Sequence, residues 1–143
     1  MKKLITAMFI CISCFTTKAY SDGHAIKMGI ILGFTGPIES LTPAMAASAE
    51  LAFNEASESG KLLGGKSIMI ERADSTCVDS AAATTAAEGL VSNGVLAIMG
   101  ADCSGVTGAI ATNVAVPNGV VMISPSATSP VSYTHLTLPT IPG

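Results

Sequence analysis

The sequence contains no tryptophan and only two histidines, His24 and His135, and both fall outside the stretch from Ile26 to Ile123 in which strand and helix patterns alternate. Histidine is the side chain best suited to proton transfer near neutral pH, so this stretch lacks the commonest general base. Asp74, Asp79 and Asp102 remain as candidate acids or bases. None has a nucleophile or base partner at a recognisable spacing, and a helix cap or a loop hydrogen bond accounts for each. No Gly-x-Gly-x-x-Gly follows the first strand pattern, no phosphate loop with its lysine is present, and no His/Cys cluster offers metal ligands. The expectation is a non-enzyme that uses no cofactor and no metal.

Positive charge is also scarce, and most scarce after the first segment. Met1-Lys2-Lys3 is a short basic start, Leu4 to Phe15 is almost unbroken apolar sequence, and Thr16-Thr17-Lys18 leads to the small-x-small triplet Ala19-Tyr20-Ser21. That is the pattern of a secretory signal, with cleavage expected after Ser21. The apolar run, about 12 residues, is shorter than the roughly 20 that a bilayer span needs. Cys11-Ile12-Ser13-Cys14 raises a lipid anchor as an alternative, but Cys14 comes early and Cys11 stands where such signals carry an aliphatic residue. Loss of residues 1–21 leaves Lys27, Lys61, Lys66 and Arg72 against all ten carboxylates, a net charge of −6. With no basic patch and no tryptophan, the chain does not have the footprint of a nucleic-acid binder. The same cleavage removes two of the four cysteines and leaves Cys77 and Cys103. An even pair in an oxidising compartment favours a disulfide, two buried thiols being the alternative. Such a bridge would close a loop of about 25 residues, worth roughly 3 kcal/mol in the chain-entropy model.

What remains is rich in short apolar runs. Ile26 to Leu32, ending at Gly33, has the length and flanks of a buried strand. Pro43 to Ser59 is Ala-rich, with Met45, Ala49, Ala52, Phe53 and Ala56 at helical spacing, a proline suited to the first turn and Gly60 as a stop. Lys66 to Asp74 alternates, with Ile68 and Ile70 on one face, and reads as a strand near an edge. Asp79 is placed to cap a helix through Leu90 and Val91 that Asn93-Gly94 ends. Val95 to Met99 is a third strand, Gly105 to Val114 a weaker helix with two glycines, and Val120 to Ile123 a fourth strand. The order β-α-β-α-β-α-β predicts an α/β fold with a doubly wound parallel sheet, strand order 2-1-3-4. Ligands of such sheets sit beyond the carboxyl ends of the strands. Those ends are Gly33–Pro37, Asp74–Cys77, Gly100–Ser104 and Ser124–Thr128, and small hydroxyl residues gather there. Ser104 falls where a helix begins, a place with unpaired N–H groups and a positive dipole end that suit a carboxylate. Turn and cap chemistry alone would also account for these hydroxyls.

Taken in order, several pieces resemble the leucine/isoleucine/valine-binding type of periplasmic substrate-binding protein, the type I fold that feeds ABC importers. They are the Ile26–Leu32 strand with Thr35-Gly36-Pro37, the Ala-rich helix with Glu50, Ala52, Phe53 and Asn54 running into Gly64-Gly65, Asp74 with Cys77, Gly100 through Cys103-Ser104, and Ile123-Ser124-Pro125-Ser126-Ala127-Thr128-Ser129-Pro130. The last is the most specific, and order and spacing together carry the match.

The resemblance implies the first lobe of a two-lobed periplasmic protein that closes on a small amino acid or analogue and delivers it to a membrane permease. It implies that Ser104 and Thr128 each offer a hydroxyl and a backbone N–H to the ligand carboxylate, and that Ser126 lies beside them in the binding loop. Leu41 stands nearest the place where the family carries an aromatic residue against the ligand, a departure that leaves the side-chain preference open. The family's bridge between second- and third-strand exits falls on Cys77 and Cys103. The organisation implied is a signal at 1–21, part of the first lobe at 22–130, and a tail at 131–143. The tail holds two prolines within four residues and no helical period, and reads as non-native linker sequence, a divergent native loop being the alternative. The second lobe, with the family's ammonium-binding acid, has no counterpart in these residues. A ligand-sensing receptor ectodomain of the same fold is the second functional reading.

Overall fold

A computed structural model describes residues 25–130; the expected signal and the expected tail lie outside the described residues. Four strands form one sheet in the order β2-β1-β3-β4, with β1 at Ile26–Leu32, β2 at Ile68–Asp74, β3 at Ala97–Gly100 and β4 at Val121–Ile123. Every pairing is parallel: Ile26 to Leu32 against Ile68 to Asp74, Met28 to Ile31 against Ala97 to Gly100, and Ala97 to Met99 against Val121 to Ile123. The predicted order and direction are both found.

β1 lies between β2 and β3, and its side chains alternate between two cores. Ile30 and Leu32 face helix α1 (Thr42–Glu58) and pack with Ala46, Met45, Ala49 and Phe53. Ile31 points the other way, into a larger cluster with Ala83, Ala87 and Leu90 of α2 (Ser80–Ser92) and with Val106 and Ile110 of α3 (Ser104–Ile110). A strand buried on both faces must be apolar at consecutive positions, which is why this run shows no polar alternation. On α1 the buried stripe passes through Ala46 and leaves the expected Ala52 exposed. Alanine at the contact lets the helix axis approach the sheet closely.

β3 begins two residues later than the sequence pattern suggests. Gly94 N–H donates to Val91 O at 2.9 Å and Val95 N–H to Leu90 O at 3.1 Å, closing α2 with paired 5→2 and 6→1 bonds around Gly94 at φ +84°. Val95 is therefore spent on the helix cap, and the ladder starts at Ala97. α3 is short and continues as a π-helical turn over Ala111–Ala115, so the predicted third helix exists but is not a uniform α-helix. The β2 edge carries charge: Lys27 pairs with Glu71 at 3.1 Å, and Arg72 pairs with Glu50 at 2.5 Å while lying 5.6 Å from the Phe34 ring centroid. Charged edges discourage pairing with a further strand.

Candidate functional site

All four strands run the same way, so their exits meet along one rim of the sheet. The β1 exit is tied to the β2 exit through Asp74, which accepts the Thr35 hydroxyl at 2.6 Å, Thr35 N–H at 3.3 Å and Thr76 N–H at 2.8 Å. Burial works to raise the Asp74 carboxyl, but the Thr35 hydroxyl and the Thr76 and Thr35 N–H groups outweigh it and hold the group below its ordinary value. Thr76 and Cys77 both take left-handed backbone, φ +55° and +70°, which a non-glycine residue adopts only under constraint. The Cys77–Cys103 disulfide, Cα–Cα 5.2 Å, supplies part of that constraint and joins the β2 exit to the β3 exit.

The β3 exit carries Asp102, only 3% exposed. Its Oδ2 accepts Gly33 N–H at 2.7 Å, and its Oδ1 accepts Cys103 N–H at 2.9 Å and the Ser75 hydroxyl at 3.3 Å. Gly100 ahead of it has φ +132°, and a Cβ there would run into the Ile31 carbonyl oxygen, so only glycine lets β3 pass this close to β1. The β4 exit folds back onto β3: the Ser124 hydroxyl donates to Ala101 O and accepts Ala127 N–H at 2.9 Å, while the Ser126 hydroxyl donates to Asp102 O at 2.8 Å.

Ser104 is the first residue of α3. Its Oγ accepts Thr128 N–H and Ser129 N–H, each at 3.1 Å. A serine hydroxyl has two lone pairs and one proton. Both lone pairs are taken here, and among the described residues no acceptor takes the proton. The Thr128 side chain is exposed. Ser104, Ser126 and Thr128 thus sit on two adjoining exits joined by direct hydrogen bonds. Leu41 is not joined to them. It flanks the start of α1, is 60% exposed, and bonds only along its own segment, to Ile38 O and from Met45 N–H.

The sequence pattern did not single out Asp102, Ser124 or the Thr35–Asp74 pair as parts of one constellation. A Ser-Pro-Ser run after a strand signals the Ser124 turn, whereas nothing local marks Asp102. Asp79 does what its position suggested and accepts Ala81 N–H and Ala82 N–H at the start of α2. A separate apolar hollow of about 160 Å³, lined by Met28, Phe53, Met99, Val121 and Ile123 among others, lies on the α1 face of the sheet and not among the hydroxyls of the rim.

Residues 25–142 match the family described as periplasmic binding protein, a span that runs past Pro130. The chain belongs to that family. It is 30% identical over 128 residues to a Leu/Ile/Val-binding protein of Rhizobium johnstonii and 28% identical over 130 residues to a Leu/Ile/Val-binding protein homologue of Brucella melitensis. These alignments take in 90% and 91% of this chain but 33% and 34% of those proteins, so the chain spans about a third of their length. Among solved structures, the branched-chain amino acid transporter substrate-binding protein of Streptococcus pneumoniae, in complex with isoleucine, superposes with a TM-score of 0.67 at 33% identity. That match covers 74% of this chain and 30% of the other. An ABC transporter substrate-binding protein of Desulfitobacterium hafniense in complex with Leu gives 0.66 at 27% identity over 79% of this chain and 32% of its own. The family is one of extracytoplasmic binding proteins and not an enzyme family. No described helix of this periplasmic binding protein is long and apolar enough to cross a membrane.

Proposed function

We propose that the chain supplies the first lobe of an extracytoplasmic solute-binding protein that captures a branched-chain or related small amino acid and presents it to the permease of an ABC importer, without chemical turnover. The observation that carries the reading is the Ser104 hydroxyl. With both lone pairs held by Thr128 N–H and Ser129 N–H, and no acceptor for it among the described residues, its proton is available for donation to a ligand. A ligand carboxylate placed there would take the Ser104 proton, the free N–H groups at the start of α3 and the Thr128 hydroxyl. The Thr128 N–H is already given to Ser104, so Thr128 contributes through its side chain, and Ser126 holds the loop. Leu41 offers exposed aliphatic surface for the ligand's side chain from the α1 side. The names of the relatives, and the isoleucine and Leu bound in two of the structures, support the substrate class. On this reading residues 1–21 serve as the export signal.

Isothermal titration calorimetry on the longer chain, with a panel of amino acids, amides and urea, tests the proposal. A charge-assisted hydrogen bond is worth about 1.5–3 kcal/mol. Ser104→Ala or Thr128→Ala should therefore weaken binding by roughly ten- to a hundredfold and leave the circular dichroism spectrum unchanged. The 143-residue chain alone should bind poorly, because closure of a two-lobed protein needs both lobes. Tight binding of a ligand without a carboxylate, unaffected by either substitution, would refute the site.

A further inference from the structure

We infer that Asp102 is the positioning residue of this rim, the group that sets where the Ser104 hydroxyl and the start of α3 stand relative to the other strand exits. Its carboxylate is almost wholly buried, and neither ion pair found among the described residues involves it. A buried carboxylate without a cation persists only if hydrogen-bond donors surround it, and the donors here come from different strand exits. Gly33 N–H belongs to the β1 exit, the Ser75 hydroxyl to the β2 exit and Cys103 N–H to the turn into α3. The fourth exit is reached through the backbone of the same residue, whose carbonyl accepts the Ser126 hydroxyl. One residue therefore ties all four exits together, two positions ahead of Ser104.

The geometry also decides which donors remain for a ligand. Cys103 N–H is turned inward to Oδ1, and Thr107 N–H is taken by Cys103 O at 2.9 Å. The N–H groups left at the helix start are those of the first turn between them, together with the Ser104 hydroxyl proton. The approach on the β1 side is close: an ideal Cβ on Gly33 would lie 3.4 Å from Asp102 Oδ2 and 3.3 Å from Cys77 Cβ, so a side chain there would press on the Cys77 Cβ and touch the carboxylate. In Asp102→Asn an amide N–H₂ replaces one carboxylate oxygen and faces a backbone donor, either Gly33 N–H or Cys103 N–H. The side-chain volume is unchanged, so the loss is one of position and not of packing.

The inference concerns the site proposed above, and its test separates the two. In the longer chain, Asp102→Asn should weaken amino-acid binding about tenfold, and it should have little further effect once Ser104→Ala is present, because it acts through Ser104. Amide hydrogen exchange of the ligand-free protein gives a readout that needs no ligand. Thr128 and Ser129 N–H, which donate to Ser104 Oγ, should exchange at least tenfold faster in Asp102→Asn, while amides of β1 keep their protection. If Asp102→Asn does not fold, Ser75→Ala, which removes one donor from Oδ1, should give the same pattern at smaller amplitude. If the unsubstituted protein binds no amino acid, the functional proposal fails and the exchange data alone decide the role of Asp102. Unchanged exchange at Thr128 and Ser129, or losses from Asp102→Asn and Ser104→Ala that simply add, would overturn the inference.

Discussion

Asp74 and Asp102 are both acids at strand exits, yet they do different things. Asp102 is buried and fixed by donors from several exits, whereas Asp74 is half-buried and clamps one residue of the β1 exit, Thr35, through two groups and one residue of its own exit, Thr76. The pH dependence of the Asp74 clamp follows from its lowered pKa. The folded chain holds the carboxyl below 3.8, so the unfolded chain binds the proton more readily. The stability this group contributes is whole above pH 3.8 and is lost as pH falls through the lower folded value. At pH 6 Asp74→Asn should cost about 1 kcal/mol, the difference between charge-assisted and neutral hydrogen bonds. The gap between the two proteins in urea midpoint should narrow as pH is taken below 4, and a gap independent of pH would contradict the assignment. The spacing of residues placed Asp74 correctly at a strand exit, but its partner Thr35 is far away in sequence, and only the β1–β2 pairing brings them together.

At the scale of elements, the boundaries were set by caps more than by hydrophobic runs. The apolar run from Val95 to Met99 is continuous in sequence, yet its first residue belongs to the end of α2 because Gly94 closes the helix with two backbone bonds. Two glycines of this helix make a test with opposite signs. Gly94 has φ +84°, and nothing lies within 4 Å of an added Cβ, so Gly94→Ala meets only the left-handed backbone penalty, about 1–2 kcal/mol. Gly89 also has open space around it but lies in the helix interior without positive φ, so Gly89→Ala should stabilise by about 0.5–1 kcal/mol. Thermal unfolding of the two variants should shift the midpoint in opposite directions. Equal shifts would show that the cap does not control the end of α2. The third helix was legible as a helix, but its change to π geometry at Ala111 was not, since neither composition nor period distinguishes the two there.

At the scale of the molecule, the Cys77–Cys103 disulfide is the one covalent cross-link among the described residues, and it ties two strand exits across 26 positions. Cys77→Ser/Cys103→Ser should lower stability by roughly 3 kcal/mol in the chain-entropy model. It should also release the left-handed backbone at Thr76 and Cys77, seen as faster amide exchange there than in α1. Free-thiol titration of the non-reduced protein should find no reactive cysteine at either position. Two titrating thiols would sink the pairing.

The amino-acid sequence by itself determined the alternation of strands and helices, the parallel sheet and its strand order, because apolar runs of strand length alternate with Ala-rich helical stretches and right-handed crossovers leave few ways to join them. It also placed the hydroxyls of Ser104, Ser126 and Thr128 at strand exits, since exits follow directly from strand ends. Only the tertiary structure decided how those exits are joined. That both lone pairs of Ser104 are occupied, that Thr128 and Ser129 give their N–H groups to that serine, and that Asp102 gathers donors from three other segments depend on distances between residues tens of positions apart. Local spacing carries no information about such distances. They are fixed by the packing of α2 and α3 on one face of β1 and of α1 on the other.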